Sequence, residues 1–366
     1  MFLKKITIEG YKTIRSLKEF ELRGLNVLVG ANGAGKSNFL SFFSFLSAVA
    51  RGDLQIYTAT KGGADALLYF GSRSMKRLYS HLEFTDPDYI NEYIIQMIPT
   101  EDGRIIFSNE MTKASKVFEG RWRTIGSGAY QETALTSAKE SISPYILKAL
   151  HSFRKYHFHD TGDSSPIKSI HDLSDTLRFK PDGSNLMAWL LHLRKKQPSQ
   201  AYYQMIVENI RRVAPFFGDF VQREEYPGDT VQLEWTERGH PDTPLKGHLL
   251  SDGTLRFMCL STLLLQPPYY LPSIVIIDEP ELGLHPSAIT LLAEMFKQVA
   301  ETQQLIISTQ SVELINALEP EDVIVVDREG DESQFRRLDR EKLAAWLEEY
   351  ALGDIWKMNI FGGRPG

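Results

Sequence analysis

The hydrophobic pattern changes its period several times along the chain. Residues 3–9 alternate apolar and polar positions, as a half-buried strand does. A second strand is expected over 18–29, joined to the first through Gly10-Tyr11-Lys12-Thr13-Ile14 and ending in the apolar run Leu25-Asn26-Val27-Leu28-Val29. From Asn38 to about Val49 the pattern becomes helical, with Phe39, Leu40, Phe42, Phe43 and Leu46 free to pack. A short helix follows within Gly62–Gly71. Arg77–Phe84, Tyr89–Pro99 and Arg104–Ser108 read as strands with a tight turn at Gly103, and Val117–Thr124 as a fourth. They form an antiparallel meander with one face toward a core and the other toward water.

The middle of the chain is helical in period over Ile142–Phe153, Asn185–Arg194 and Ala201–Val213. Phe220–Tyr226 and Thr230–Thr236 read as a hairpin across Pro227-Gly228-Asp229, and Glu237–His248 as a loop rich in proline and glycine. Thr254–Leu265 is expected to be a helix stopped by Pro267-Pro268. The aliphatic run Ile274-Val275-Ile276-Ile277 fits a strand buried on both faces of a parallel sheet. Further elements are a helix over Pro286–Ala300, a strand over Gln304–Ser308, a helix over Glu313–Leu318, a strand over Val323–Asp327 and a helix over Arg340–Leu352. No internal repeat or low-complexity tract interrupts the series.

Composition narrows the class. The chain has 366 residues, 42% hydrophobic and 24% charged, as in an ordinary globular protein. No run of 18 apolar residues occurs, so no membrane span is expected, and the first nine residues alternate too strictly for a leader peptide. The single cysteine, Cys259, allows no internal disulfide and reads as a small buried hydrophobe, so a cytoplasmic location is expected. The net charge of −6, from 41 basic and 47 acidic residues, lends nucleic-acid binding no general support. Arg194-Lys195-Lys196 and Arg211-Arg212 read as solvated helix faces.

The chemistry concentrates in a few stretches. Gly30-Ala31-Asn32-Gly33-Ala34-Gly35-Lys36-Ser37 matches the phosphate-loop pattern without a gap, between a strand and a helix start. Glycines let backbone N–H groups close around a phosphate, and the helix start adds its unpaired N–H groups and dipole. Asn32, Gly33, Gly35, Lys36, Ser37 and Asn38 are the candidate nucleotide-binding residues. Lys36 would reach the terminal phosphates, and the Ser37 hydroxyl would take Mg²⁺. Lys12 and Thr13, on the first turn, could come near the nucleotide. Asp278 and Glu279 stand at the end of the aliphatic strand, where open α/β sheets place their chemistry. Asp278 would be the second Mg²⁺ ligand and Glu279 the base that activates water. The histidines His157, His159, His240, His248 and His285 lack convergent partners in sequence and are assigned no metal.

Leu250-Ser251-Asp252-Gly253 resembles the signature of ABC-type ATPases, and Asp278-Glu279-Pro280-Glu281-Leu282-Gly283-Leu284-His285-Pro286 resembles the extended Walker B and D-loop of the SMC, RecF and Rad50-like group. The chain is most similar to the short bacterial AAA-family members of that group, which lack a long coiled coil. The resemblance covers 1–50 and 245–330 well, and the middle loosely. It implies an α/β P-loop NTPase head of ABC/SMC type, with a mixed central sheet, an antiparallel β lobe and a helical insertion. The expected parts are 1–125 with the phosphate loop, 126–219 as the helical insertion, 220–335 with signature and Walker B, and 336–366 as C-terminal helix and tail. It further implies ATP and Mg²⁺ as cofactors. Two heads would close on ATP, with Ser251 and Gly253 contacting the γ-phosphate held by the other copy, as a homodimer or higher oligomer.

Relatives carry a histidine where this chain has Gln310, within Ser308-Thr309-Gln310-Ser311. Glutamine can hydrogen-bond to phosphate or water but cannot carry the charge or shuttle a proton, so slow hydrolysis is expected. The resemblance leaves the lid-loop glutamine open between Gln96 and Gln131. It suggests an ATPase that regulates a separately encoded effector, such as a nuclease, in bacterial defence, since little chain follows the ATPase core. The alternatives are a RecF-like ATPase acting on DNA and a scaffold that binds ATP without turning it over. A transporter subunit is disfavoured by the strand–turn–strand start and the ELGLHP continuation.

Overall fold

The computed structural model describes residues 2–86, 89–115, 120–138, 141–223 and 225–363. Two six-stranded sheets organise them. The chain opens with β1 (Phe2–Tyr11) and β2 (Ile14–Glu21), a hairpin, and then leaves that sheet for β3 (Leu25–Val29). The single strand expected over 18–29 is thus two strands in different sheets. The break at Arg23-Gly24 has a local cause. Asn26 folds its side chain back onto the backbone N–H and carbonyl of Arg23, at 2.9 and 2.6 Å. Gly24 passes so close to the carbonyl of Ala300 that a Cβ would meet it at 2.4 Å.

Helix α1 (Lys36–Arg51) follows the glycine-rich loop, and Gly52 in the left-handed conformation stops it. The antiparallel sheet is completed by β4 (Leu78–Asp86), β5 (Tyr89–Pro99), β6 (Ile105–Ser115) and β7 (Arg123–Tyr130), in the order β2-β1-β4-β5-β6-β7. The meander expected from the sequence is therefore present. Its fourth strand begins at Arg123, and 116–119 lie outside the described residues.

The expected helix to Phe153 ends at His151, and Phe153–Tyr156 form the strand β8, which pairs in parallel with a strand far ahead in the chain. A two-residue strand β9 (His171–Asp172) precedes the helices α2 (Leu186–Lys195) and α3 (Gln200–Val213). The expected hairpin across Pro227-Gly228-Asp229 does not form. Instead β10 (Phe217–Phe220) pairs with β12 (Glu234–Glu237), while β11 (Thr230–Val231) pairs with β9. Ring contacts of Phe216 and Phe217 with Trp235, at 5.7 and 6.0 Å, fix that pairing. The supposed loop after Glu237 contains β13 (His240–Lys246), an edge strand that tolerates Pro241 and Pro244 because one side of it needs no partner.

Helix α4 (Asp252–Leu265), β14 (Ile274–Asp278), helix α5 (Pro286–Ala300), β15 (Gln304–Thr309), β16 (Val323–Glu329) and β17 (Glu332–Arg337) complete the central sheet and its cover. Its order is β17-β16-β3-β15-β14-β8, parallel except for β17. Alternation along the strands splits the core in two. Leu28, Ile274, Ile276, Ile306 and Ile324 face α1, which lies between the two sheets with Phe39, Phe42, Phe43 and Leu46 buried. Val27, Val275, Ile277, Leu305 and Val323 face the helices α2 to α5. The C-terminal helix expected over 340–352 is two, Arg340–Leu347 and Leu352–Lys357.

Candidate nucleotide site

The strands β3, β14 and β15 end level with one another. Val29 lies opposite Thr309, and Asp278 opposite Ser308. The glycine-rich loop, the acidic pair and the Ser-Thr-Gln segment therefore leave the sheet at one edge, the carboxyl end of its parallel strands.

The loop is built for close approach. Gly33 and Gly35 have φ of 80° and 120°. A Cβ on Gly35 would lie 2.0 Å from the Ser333 hydroxyl, so only glycine fits there. The Ser333 hydroxyl, on β17, lies within hydrogen-bond distance of the Ala34 carbonyl at 2.6 Å and of Thr13 Oγ1 at 2.7 Å. Asn38 Nδ2 donates to the same Thr13 oxygen at 2.8 Å. Thr13 and Ser333 thus back the loop from outside the motif. The start of α1 has no side-chain cap, leaving its first N–H groups to the loop. Lys36 donates to the Gly30 and Ala31 carbonyls at 2.5 and 3.1 Å. Burial pulls its pKa down, against the carboxylates of Glu279, Asp278 and Glu281. Ser37 is exposed at the head of α1.

Asp278 is held from both neighbouring strands. Ser308 on β15 donates to one carboxyl oxygen, and Lys155 on β8 reaches the other at 2.9 Å. Burial raises its pKa, but the Ser308 hydroxyl and the Lys155 ammonium outweigh it and hold the group below the usual range. His159 donates to the Asp278 carbonyl at 2.9 Å. Glu279 takes a left-handed conformation, with φ of 46°, which is costly for a residue with a Cβ. Its N–H bonds the Ser308 carbonyl at 2.9 Å, and its carboxylate accepts from Gln310 Nε2 at 2.8 Å. The same Gln310 nitrogen donates to Asn32 Oδ1 at 2.8 Å. One amide therefore joins the glycine-rich loop to Glu279. Glu281 is buried and accepts from Thr309 Oγ1 at 2.6 Å and from the Gln310 N–H at 3.2 Å. Burial raises its pKa.

Ser251 caps α4, its hydroxyl accepting from the Thr254 N–H at 3.2 Å, and it is exposed. A Cβ on Gly253 would lie 2.3 Å from the Gly283 carbonyl, so α4 rests on the 279–285 loop. Arg256, one turn on and buried, donates to the Leu282 carbonyl, to Phe158 O at 3.1 Å and to His159 O at 3.3 Å.

With this geometry in hand, comparison with known proteins is specific. A family model described as "AAA domain, putative AbiEii toxin, Type IV TA system" matches residues 25–316. The chain belongs to this family. Comparison with proteins of curated function finds no match. Among solved structures the fold is similar to an SMC head bound to the C-terminal winged-helix domain of ScpA, at 17% identity and a TM-score of 0.61, covering 93% of this chain and 99% of that one. It is also similar to the SMC head with an extended coiled coil bound to the C-terminal domain of ScpA, from Pyrococcus furiosus, at 15% identity and a TM-score of 0.57, covering 95% and 99%. The fold is that of a P-loop ATPase head of SMC/ABC type. Among the described residues no helix is long and apolar enough to cross a membrane.

Of the sequence candidates, Asn32, Lys36, Asp278, Glu279 and Gln310 converge at the sheet edge, with Gly33, Gly35, Ser37 and Asn38 in the loop and first turn beside them. Ser251 and Gly253 lie at the head of α4, away from this cluster's hydrogen bonds. Neither lid-loop glutamine is placed at Asp278. Gln96 lies on β5 opposite Tyr79 and Asn109, and the Gln131 carbonyl accepts from Gln55. The segment beside Asp278 is instead the continuation of β8, through His159. Sequence reasoning missed Lys155, Ser308, Glu281 and Arg256. Ser308 and Glu281 stood inside quoted motifs, whereas Lys155 and Arg256 acquire partners only through long-range pairing.

Proposed function

We propose that this chain binds ATP with Mg²⁺ and hydrolyses it slowly, and that two copies close head to head around the nucleotide. The observation that supports it best is the Gln310 amide shared between Asn32 and Glu279, which links the cradle to the acid that would activate water. The oxygen donors of Ser37 and Asp278 suit Mg²⁺, a hard cation. When bound, the metal would offset phosphate charge. Lys36 would exchange two loop carbonyls for phosphate oxygens, a stronger bond for a buried ammonium. Glu279 would orient and deprotonate the attacking water. Gln310 would hold that water or the γ-phosphate by hydrogen bonds alone. Ser251 is exposed on a helix start, a fitting donor to the phosphate of a second copy.

We further propose that closure regulates a separately encoded effector in bacterial defence. The toxin–antitoxin description of the family and the SMC heads described as bound to ScpA domains support a head that works through a partner protein. Native mass measurement with and without ATP tests both parts. An ATP-dependent dimer that retains a second protein is expected, and a monomer at all ATP concentrations refutes closure. A scaffold without turnover is the second reading, favoured by the uncharged Gln310. Equal background ATPase in wild type and Glu279→Gln, with ATP-driven dimers in both, would establish it.

A further inference from the structure

Lys155 has no place in the motifs, yet the fold delivers it to the centre of the site. It lies on β8 opposite Ile276, and side chains alternate along a strand. Ile274, Ile276 and Asp278 point to the α1 side, so Lys155 shares a face with Asp278, one pleat below it on the neighbouring strand. Its ammonium reaches the carboxyl oxygen that Ser308 does not use, at 2.9 Å. The two contacts differ in kind. Ser308 is a neutral hydroxyl in the interior of the sheet. Lys155 is a full cation on a flexible four-carbon stem, carried by a strand at the sheet's edge.

We infer that Lys155 is an exchangeable counter-ion that holds Asp278 and must yield it to the divalent metal, so that it sets the metal concentration at which the site loads. The inference rests on the ATP and Mg²⁺ reading above. A divalent cation on Asp278 would meet a like charge at contact distance from the same carboxylate. Lys155 is thus a positioning residue for the carboxylate and a competitor for its metal.

The test measures binding, not turnover. A fluorescent N-methylanthraniloyl-ATP, held well below the metal concentration, is titrated first in EDTA and then with Mn²⁺, on the full chain. Lys155→Met is expected to lower the Mn²⁺ midpoint about tenfold or more, since one unit charge at contact distance outweighs a tenfold change even at a protein-like dielectric. Lys155→Arg, which keeps the cation, is expected to stay near wild type. A midpoint unchanged or raised in Lys155→Met overturns the inference, as does a loss of nucleotide binding in EDTA, which would make Lys155 a nucleotide contact. Should Lys155→Met fold poorly, Lys155→Gln gives the same comparison. Failure of the wild-type protein to bind the analogue would sink the ATP reading itself, a distinguishable result.

Discussion

Replacing Gly253 by alanine probes how the signature helix is seated. The new Cβ would stand 2.3 Å from the Gly283 carbonyl oxygen, and both ends of that contact are backbone. Reaching an ordinary carbon–oxygen separation of about 3.3 Å requires α4 and the 279–285 loop to part by about 1 Å. Overpacking of this kind costs about 1–3 kcal/mol. The same movement pulls Arg256 from the Leu282 carbonyl, a charged hydrogen bond worth about 1.5–3 kcal/mol, although relaxation of the loop recovers part of it. Alanine is the better helix former by about 1 kcal/mol, which works the other way. The clash wins, leaving a net loss of about 1–4 kcal/mol. For a chain of this size that is a fall in Tm of about 1–5 °C, measured without nucleotide so that no phosphate contact enters. Gly162→Ala is the control. Its Cβ would meet nothing nearer than 3.9 Å, and Tm should not move. A Gly253→Ala protein that melts at or above the wild-type temperature would refute the reasoning.

Three further outcomes are expected. Lys36→Ala should weaken ATP binding about 100-fold or more in a fluorescence titration, since two charge-assisted bonds are lost at about 1.5–3 kcal/mol each. Glu279→Gln should abolish phosphate release while ATP-dependent dimers accumulate on a sizing column, and turnover equal to wild type would remove Glu279 from the chemistry. Glu281 has its folded-state pKa raised by burial, so the folded form holds its proton more tightly than the unfolded chain. Its favourable contribution is present below the unfolded value and fades as pH rises through the folded one. The Tm of Glu281→Gln relative to wild type should therefore climb as pH rises above the unfolded carboxyl value of about 4.5. Parallel curves would show that Glu281 carries no such burden.

The central sheet was readable wherever a strand is buried on both faces. Ile274–Ile277 is an unbroken apolar run and Leu25–Val29 is interrupted only by Asn26, and their motifs mark their carboxyl ends. Strands fixed by distant partners were not readable. Phe153–Tyr156 continues a helical period with two basic residues inside it, and only parallel pairing with β14 makes it a strand. The run 18–29 has no sequence break strong enough to announce a change of sheet, because the break is made by Asn26 binding the backbone and by Gly24 passing the end of α5. The proline-bearing His240–Lys246 reads as a loop until its edge position is known. The candidate site divides in the same way. Residues within a contiguous motif were named in advance. Those that act on the motif from another strand or helix, Lys155, Arg256 and Ser333, carry no local signal.

Arg256 gives the proposed closure a route through the molecule. Its guanidinium joins three backbone segments that share no secondary structure: the continuation of β8 at Phe158 and His159, the loop at Leu282, and the signature helix itself. A planar donor with five N–H groups suits such a junction, where a lysine would make a single-point contact. His159 in turn bonds the Asp278 carbonyl. A displacement at Asp278 is therefore one hydrogen bond from the continuation of β8 that Arg256 clamps to the Leu282 loop, and α4 sits on the adjoining Gly283 with no space to absorb it. Close packing of this kind passes movement on instead of damping it. If nucleotide binding shifts the Walker B strand end, Ser251 should move with it as part of a rigid helix. Arg256→Ala would then separate the two events. ATP would still bind, read by titration, while ATP-dependent dimers would be lost, read by native mass. Retention of dimers at wild-type ATP concentrations would mean that the signature helix is placed by some other contact.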